Sequence, residues 1–379
     1  MINLREPIFL INQKYYTFSI SAIVSDLFFF FIVVLFSGNT STWNYPAYLD
    51  QYNTYSSLTY NGEWLFGLFQ YLFRSFNIDF KYLVFILFSF GLLLMNHIVK
   101  KELGNKSLFF YLLFLLYPTG VAIAAIRNTV AMFLITFAIP YLSSSKRTNK
   151  IRFIIIILIS AGFHRISYLY LFLLLKFSYE KHHSINSWLL KSTFVIVIMN
   201  ILIMLFYRPY LTLFQHFVLS IVEEDSNLAS RNAVYFSDIA NYGYILFISI
   251  QLVFITVIIQ ILKAYRLAQN TKRQIKGNIG LAKTILFANV FFIVLVLGYK
   301  MNSNFFRVFM NLLPINYIVI IQACNHKLWK INRNLQYSIS FLFISLLIFS
   351  IYEVLPWFQY NFITMFTENW IFHLLIDNF

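Results

Sequence analysis

The chain has 379 residues, of which 60% are hydrophobic and only 11% charged, with a mean hydropathy of +0.70. Soluble domains carry about a quarter charged residues, so a water-soluble globule is excluded, and 45 Phe and 26 Tyr against 11 Gly exclude a disordered or collagen-like chain. A single cysteine, Cys324, excludes a disulfide framework, and the formal charge of +15 matters here by where it falls rather than as an affinity for nucleic acid.

What remains is an all-α polytopic integral membrane protein forming one domain over residues 1–379. Apolar runs long enough to cross a bilayer predict helices at 15–37, 81–99, 107–118, 121–143, 189–207, 241–262, 282–299, 307–324 and 335–354. With the apolar run Ile151–Phe177 this makes about 10–12 membrane helices. No short apolar core with a small-residue cleavage site opens the chain, so its first helix reads as an uncleaved anchor. No long hydrophilic stretch is present that could form a nucleotide-binding module.

Orientation follows from Lys and Arg in the short loops. Basic clusters fall at Arg5/Lys14, Lys100/Lys101/Lys106, Lys146/Arg147/Lys150/Arg152, Lys176/Lys181/Lys191, Lys263/Arg266/Lys272/Arg273/Lys276 and Lys327/Lys330/Arg333. Ser37–Gly62 and Asn334–Phe379 contain none. The clusters belong to the cytoplasm and the two empty stretches outside, which places the N-terminus inside and the C-terminus outside. The outer segments are then loop 38–80, in which Trp64–Phe76 forms an interfacial helix, a turn at 117–120, the large loop 208–240, a turn at 300–306, and an interfacial aromatic tail at 355–379.

Loops 144–152 and 176–191 are both basic, yet one apolar run separates them. Two half-length helices that fold back near Gly162-Phe163-His164 keep both loops inside. This gives a re-entrant hairpin over 151–177. Irregular backbone at membrane depth must be buried in protein or line a cavity, so the hairpin predicts a cavity at His164.

Ionisable groups within apolar runs cost about 2.5–3.5 kcal/mol each on insertion scales and are the informative residues. Arg127 follows Val-Ala-Ile-Ala-Ala-Ile, precedes Asn128, and lies about 10 Å past the outer turn at 1.5 Å per residue. Arg307 opens a later helix on the same side, and Arg231 lies near Tyr235 in the large outer loop. Each could be an interfacial anchor or a solvated charge. Their shared side instead points to a phosphorylated lipid, since arginine grips phosphate oxygens in a planar fork. His164 is either a satisfied structural histidine or a group that polarises a hydroxyl or donates to phosphate. His182 and His183 read as solvated.

Two outer carboxylates, Asp50 and Glu63, flank a Tyr-rich stretch that includes Tyr52. Aromatic rings beside carboxylates and amides suit sugars and are also ordinary interfacial composition. Asp26, inside the first span, is unexplained unless it pairs with a helix neighbour. No His lies at ligand spacing with carboxylates, so no metal site is expected. A phosphate-binding loop, a His-Glu-x-x-His motif and a nucleophile elbow are all missing.

Together these residues resemble a known family. A Tyr-rich outer loop with Glu63 opening a short apolar segment comes first, then Ala-Ile-Arg127-Asn-Thr-Val-Ala-Met. Ser-Ala-Gly-Phe-His164-Arg-Ile-Ser follows, and Phe-Phe-Arg307-Val-Phe-Met-Asn-Leu-Leu-Pro314 comes last. The pattern is similar to the EpsG-type family of Wzy-like exopolysaccharide, capsule and O-antigen polymerases over roughly residues 20–325. Asn128 replaces the usual Gln, and Arg165 is bulkier than the family's pattern.

The resemblance implies an all-helical membrane glycosyltransferase that uses undecaprenyl-diphosphate-linked oligosaccharides and needs neither cofactor nor metal. It implies glycosyl transfer on the outer face of a bacterial cytoplasmic membrane, beside membrane lipid, with chain-length regulator and flippase partners and no nucleic acid. Arg127, Arg307 and Arg231 would hold the diphosphate, and Asn128, Tyr52 and Tyr235 would contact substrate. His164, Glu63 and Asp50 are the catalytic candidates. A flippase for the same lipid would favour internal repeats, which the chain lacks. A membrane O-acyltransferase would draw acyl groups from the cytoplasm, and a ligase would share the polymerase's chemistry.

Overall fold

The computed structural model describes residues 10–11, 14–15, 20–40, 42, 44–54, 63–180, 243–270, 278–293, 306–354 and 364–377. The expected helix at 189–207, the loop 208–240 with Arg231 and Tyr235, and His182, His183 and Trp357 lie outside the described residues. Apart from a two-residue antiparallel pair, Leu10–Ile11 (β1) with Lys14–Tyr15 (β2), every described element is helical. Six described stretches are long and apolar enough to cross a membrane: Ile20–Ser37, Phe80–Leu116, Ile126–Ser143, Leu246–Gln269, Phe306–Asn325 and Arg333–Ile351. The protein is an all-α, multi-pass membrane protein.

The first span, α1 (Ile20–Ser37), packs on α4 (Phe80–Leu103) and α5 (Ser107–Leu116). Gly104, at φ +55°, turns the chain between α4 and α5, a backbone region that glycine enters without penalty. The chain reverses there, and Tyr111 Oη meets Asn96 Oδ1 across the pair. Two shorter helices precede α4. They are α2 (Tyr45–Thr54) and the apolar α3 (Trp64–Ser75), too short to span.

The span expected at 121–143 is interrupted. Helix α6 (Thr119–Ala124) stops at Ala125, whose φ of −107° and ψ of 62° leave the helical region, and α7 (Ile126–Ala138) restarts one residue before Arg127. A 3-10 turn, Ile139–Ser143, ends it at Pro140. The span expected at 307–324 is broken too. Helix α12 (Phe306–Met310) and α13 (Leu313–Asn325) are separated at Asn311–Leu312. Pro314, early in α13, has no N–H to carry the ladder backward through the break.

Between these, α8 (Arg147–Phe163) ends at His164, and the chain returns through a 3-10 segment, Arg165–Leu174, into α9 (Leu175–Glu180). At the foot, Lys150 Nζ lies 4.0 Å over the Phe177 ring, and buried Lys176 donates to Leu142 O at 3.0 Å and Thr284 Oγ1 at 2.7 Å. Near the tip, Ser160 Oγ and Ser167 Oγ sit 2.8 Å apart. A hairpin of two unequal arms is thus closed at both ends.

Helix α10 (Gly243–Asn270) packs on α11 (Ile279–Ile293) and α14 (Arg333–Val354). The Phe306–Asn325 stretch is 89% buried and forms the centre of the bundle, whereas α1 and Arg333–Ile351 are 33% buried and present apolar faces outward, as lipid contact requires. Buried Asn289 and Asn316 exchange two amide hydrogen bonds at the centre, 2.8 and 3.3 Å long. Asp26 finds its partner in Lys100, 2.7 Å away, at the end of the bundle where Lys100, Lys101 and Lys106 gather. At the opposite end α15 (Thr364–Thr367) and α16 (Trp370–Asp377) fold back on α1, with Asn369 Nδ2 donating to Val34 O and Trp370 N to Gly38 O.

Helix α3 rests on the hairpin tip because Gly162 has no side chain. A Cβ there would fall 2.7 Å from Leu65 Cβ and 3.0 Å from the Trp64 ring. Gly162→Ala is expected to lift α3 and cost about 1–3 kcal/mol as an overpacked contact. Thermal unfolding of the purified protein in detergent checks this, and an unchanged Tm would show that α3 does not depend on that seat.

Candidate functional site

The end of the bundle that carries α2 and α3 also receives the break before α7, the hairpin tip and α12. Each brings one charged or polar group to the same place. Helix α3 begins immediately after Glu63, so its carboxylate stands at a helix N-terminus, where negative charge is favoured. The residue is only 5% exposed. The α6–α7 break puts Arg127 in the first turn of a new helix rather than in the middle of a continuous one. Asn44 Nδ2 covers the break by donating to Ala124 O at 3.1 Å.

Arg127 Nη1 donates to Glu63 Oε2 in an ion pair whose carboxylate is buried and whose guanidinium is partly so. Its Nε donates to Tyr48 Oη at 3.3 Å, and the guanidinium lies 5.3 Å from the Tyr48 ring centroid and 6.0 Å from that of Phe66. The rings exclude water from one side of the charge and add an attraction of their own. Glu63 also accepts the Arg165 backbone N–H. Burial pushes the Glu63 carboxyl, which lies outside the six spanning stretches, above its ordinary value, while Arg127 and Arg165 pull it back.

His164 stands between α8 and the 3-10 arm in extended backbone, φ −149° and ψ 117°. Its Nδ1 accepts the Ile166 N–H at 3.3 Å and lies 3.8 Å from Glu63 Oε1. That hydrogen bond assigns the lone pair to Nδ1 and, in the neutral ring, the proton to Nε2. The charges of Arg307, Arg127 and Arg165 all act on this imidazole. Arg307 is held nearby on α12, where Tyr170 of the hairpin's return arm donates to the carbonyl of Val308.

The sequence-derived candidates therefore separate. Glu63, Arg127, His164 and Arg307 converge. Asn128 lies beside them, but its amide exchanges two hydrogen bonds of 3.2 Å with Asn311 at the α12–α13 break. Asn311 N in turn bonds Arg307 O at 2.9 Å, so the amide pair joins the two arginine-bearing helices. Asp50 lies on the exposed side of α2, two residues beyond Tyr48. Tyr52 donates to Ile78 O, which ties α2 to the turn before α4. Arg231 and Tyr235 are outside the described residues. Among those residues no group of three His, Cys, Asp or Glu side chains could hold a metal ion.

The sequence reading did not single out Tyr48 or Asn311, or treat Arg165 as part of the site. For Tyr48 a signal existed: Tyr45, Tyr48 and Tyr52 recur at helical spacing, and all three are buried on one face of α2.

The amide pair is testable. Asn128→Ala or Asn311→Ala alone leaves a buried amide unpaired, at about 1–3 kcal/mol. The double substitution should cost less than the two single costs added together, as a coupled pair requires. Thermal or denaturant unfolding of the four proteins checks this, and strict additivity would dissolve the clamp.

Residues 23–362 match the model of the EpsG family. No curated protein and no solved structure matches the chain.

Proposed function

Because the chain belongs to the EpsG family, we propose that it joins undecaprenyl-diphosphate-linked oligosaccharide repeat units into exopolysaccharide or capsule. The family makes it an exopolysaccharide polymerase-like, multi-pass membrane protein, and the proposal adds the reaction, the face and the residues. The end carrying α2 and α3 faces outward in this reading, opposite the lysine-rich loops, in agreement with the positive-inside rule. The hairpin then enters from the cytoplasmic side and returns to it, with His164 at its tip.

The convergence of Glu63, Arg127 and His164, with Arg307 within electrostatic reach, carries the reading. Arg127 and Arg307 hold the donor's diphosphate and stabilise the charge that grows on it as the lipid diphosphate leaves. The diphosphate takes the guanidinium of Arg127 from Glu63 as it binds. The freed carboxylate then accepts the proton of the acceptor hydroxyl. The hydroxyl oxygen forms the new bond to the anomeric carbon, and the bond from that carbon to the diphosphate oxygen breaks. His164, with its Nδ1 engaged, donates Nε2–H to a diphosphate oxygen. Asp50, exposed on α2, contacts the acceptor glycan. The base is thus blocked by Arg127 until a donor is present, which protects the site from idle proton exchange.

Arg127→Ala and His164→Ala are expected to lower turnover by about 10²–10³ for the arginine and about 10²–10⁴ for the histidine. Mass spectrometry of lipid-linked oligosaccharides in a deletion strain carrying each variant checks this. Single-repeat lipid should accumulate on the outer leaflet while surface polymer disappears. Accumulation on the inner leaflet would identify a flippase instead. Full-length polymer lacking a substituent would identify an acyltransferase.

A further inference from the structure

A second feature lies along α2 from the Arg127 cluster, beside the tyrosines one helical turn to either side of Tyr48. A cavity of about 460 Å³ opens between α2 and the turn that joins α3 to α4. That is within the roughly 300–1,000 Å³ of small-molecule sites. Exposed Leu49 and the edges of Tyr45 and Tyr52 form its apolar wall, with buried Phe80 behind the two tyrosines, both ring centroids 5.3 Å from its own. The wall is rigid because Tyr52 Oη is tied to Ile78 O.

The rim is polar. Asn53, Arg74, Asn77, Asp79 and Lys81 line it, so it carries two cations against one carboxylate. Asp79 lies 3.7 Å from Lys81, and both Arg74 and Asp79 act on the Tyr52 hydroxyl. Asn77 occupies the left-handed region at φ 53°, which Asn tolerates better than most residues, and this tight turn brings Arg74 and Asp79 to the same rim. Asp79 precedes α4 in extended backbone without a side-chain capping bond, although Asp is among the preferred capping residues. Its carboxylate stands on the rim instead.

Aromatic edges on one wall, amides on the rim and a guanidinium beside them match a sugar ring that carries a carboxylate. The ring's apolar side packs on the wall, its hydroxyls meet Asn53, Asn77 and Asp79, and its carboxylate meets the fork of Arg74. We propose that this cavity is a glycan subsite selective for an acidic sugar residue. Where the proposed polymerase reading holds, that residue belongs to the repeat unit. Tyr48, midway along α2 between Tyr45 and Tyr52, touches Arg127. A glycan could therefore run from the diphosphate along α2 into the cavity within two or three sugar rings.

The test uses the full-length protein in phosphatidylcholine nanodiscs, probed with glucuronic acid and with glucose by saturation-transfer NMR. Glucuronic acid should bind at least tenfold more tightly than glucose. Arg74→Gln should erase that preference and Asn53→Ala should weaken both ligands, with Tm unchanged for each exposed substitution. Equal binding of the two sugars, no binding of glucuronic acid, or binding indifferent to Arg74→Gln would each overturn the subsite. Displacement of glucuronic acid by phosphatidylglycerol in the disc would overturn it in favour of a lipid headgroup site. The two readings fail separately. Polymer synthesis that survives Arg127→Ala would remove the catalytic reading while Arg74-dependent glucuronate binding stands. A chain that polymerises through Arg127 but shows no such binding would remove the subsite alone.

Discussion

A carboxylate and a guanidinium facing each other inside an apolar bundle set the terms for everything around them. Each ion loses several kcal/mol of hydration on burial, and their attraction offsets this only where further hydrogen bonds satisfy the remaining polar atoms. The fold supplies those bonds to Glu63 and Arg127. Arg165 N–H reaches the carboxylate, Tyr48 Oη reaches the guanidinium, and the Tyr48 and Phe66 rings shield it. An apolar pair of similar size would be no less stable in such a place. The pair is therefore a weak argument for stability by itself, and the proposed reaction gives it a chemical use. The pair brings α3, α7 and the hairpin tip to one point.

Two helix breaks make that point reachable. A continuous helix through Ala125 would carry Arg127 past the site in the middle of a ladder, with its backbone polar groups fully engaged. The stop at Ala125 and the restart at Ile126 present Arg127 from a first turn. The stop at Met310 and the restart at Leu313, with Pro314 behind it, leave Arg307 on a short helix of its own, Phe306–Met310. Broken helices at membrane depth leave backbone groups that must be satisfied by protein. Asn44 on Ala124 O and Thr129 Oγ1 on Ala122 O meet that demand at the first break, and the Asn128–Asn311 side-chain exchange ties the second break to α7. The Asn289–Asn316 exchange repeats the device deeper in the bundle. In an apolar surrounding, amides that satisfy each other in both directions fix register between helices that hydrophobic packing alone would let slide.

The periphery follows the same economy. Asp26 would be an expensive charge in a first span, and Lys100 with Ser25 converts it into a local pair. Asn369 helps to hold the tail: it donates to Val34 O and orders its own turn by accepting from Ile371 N and Phe372 N. Gly38 makes room for it, because a Cβ there would fall 1.9 Å from Asn369 Oδ1. Trp370 then covers Tyr82 and Phe85 beside Lys81, next to the cavity at α2.

The apolar runs by themselves determined that this is an all-α membrane protein, because about 20 apolar residues in a row admit no other stable use in water. The motifs around Arg127, His164 and Arg307 determined the family, and two basic loops around one apolar run led to the expectation of a fold-back near His164. Other features depended on groups far apart in the chain and needed the tertiary structure. Glu63 and Arg127 are 64 residues apart, and Asn128 and Asn311 are 183 apart. A hydropathy pattern records how apolar each stretch is and nothing about which side chains meet. Sequence reasoning therefore assigned Arg127 to phosphate and Asn128 to substrate without seeing that each already has a protein partner. The breaks at Ala125 and Asn311–Leu312 were hidden for the same reason: a departure of one or two residues from helix leaves the hydropathy of a span unchanged, and only packing decides whether such a break is filled.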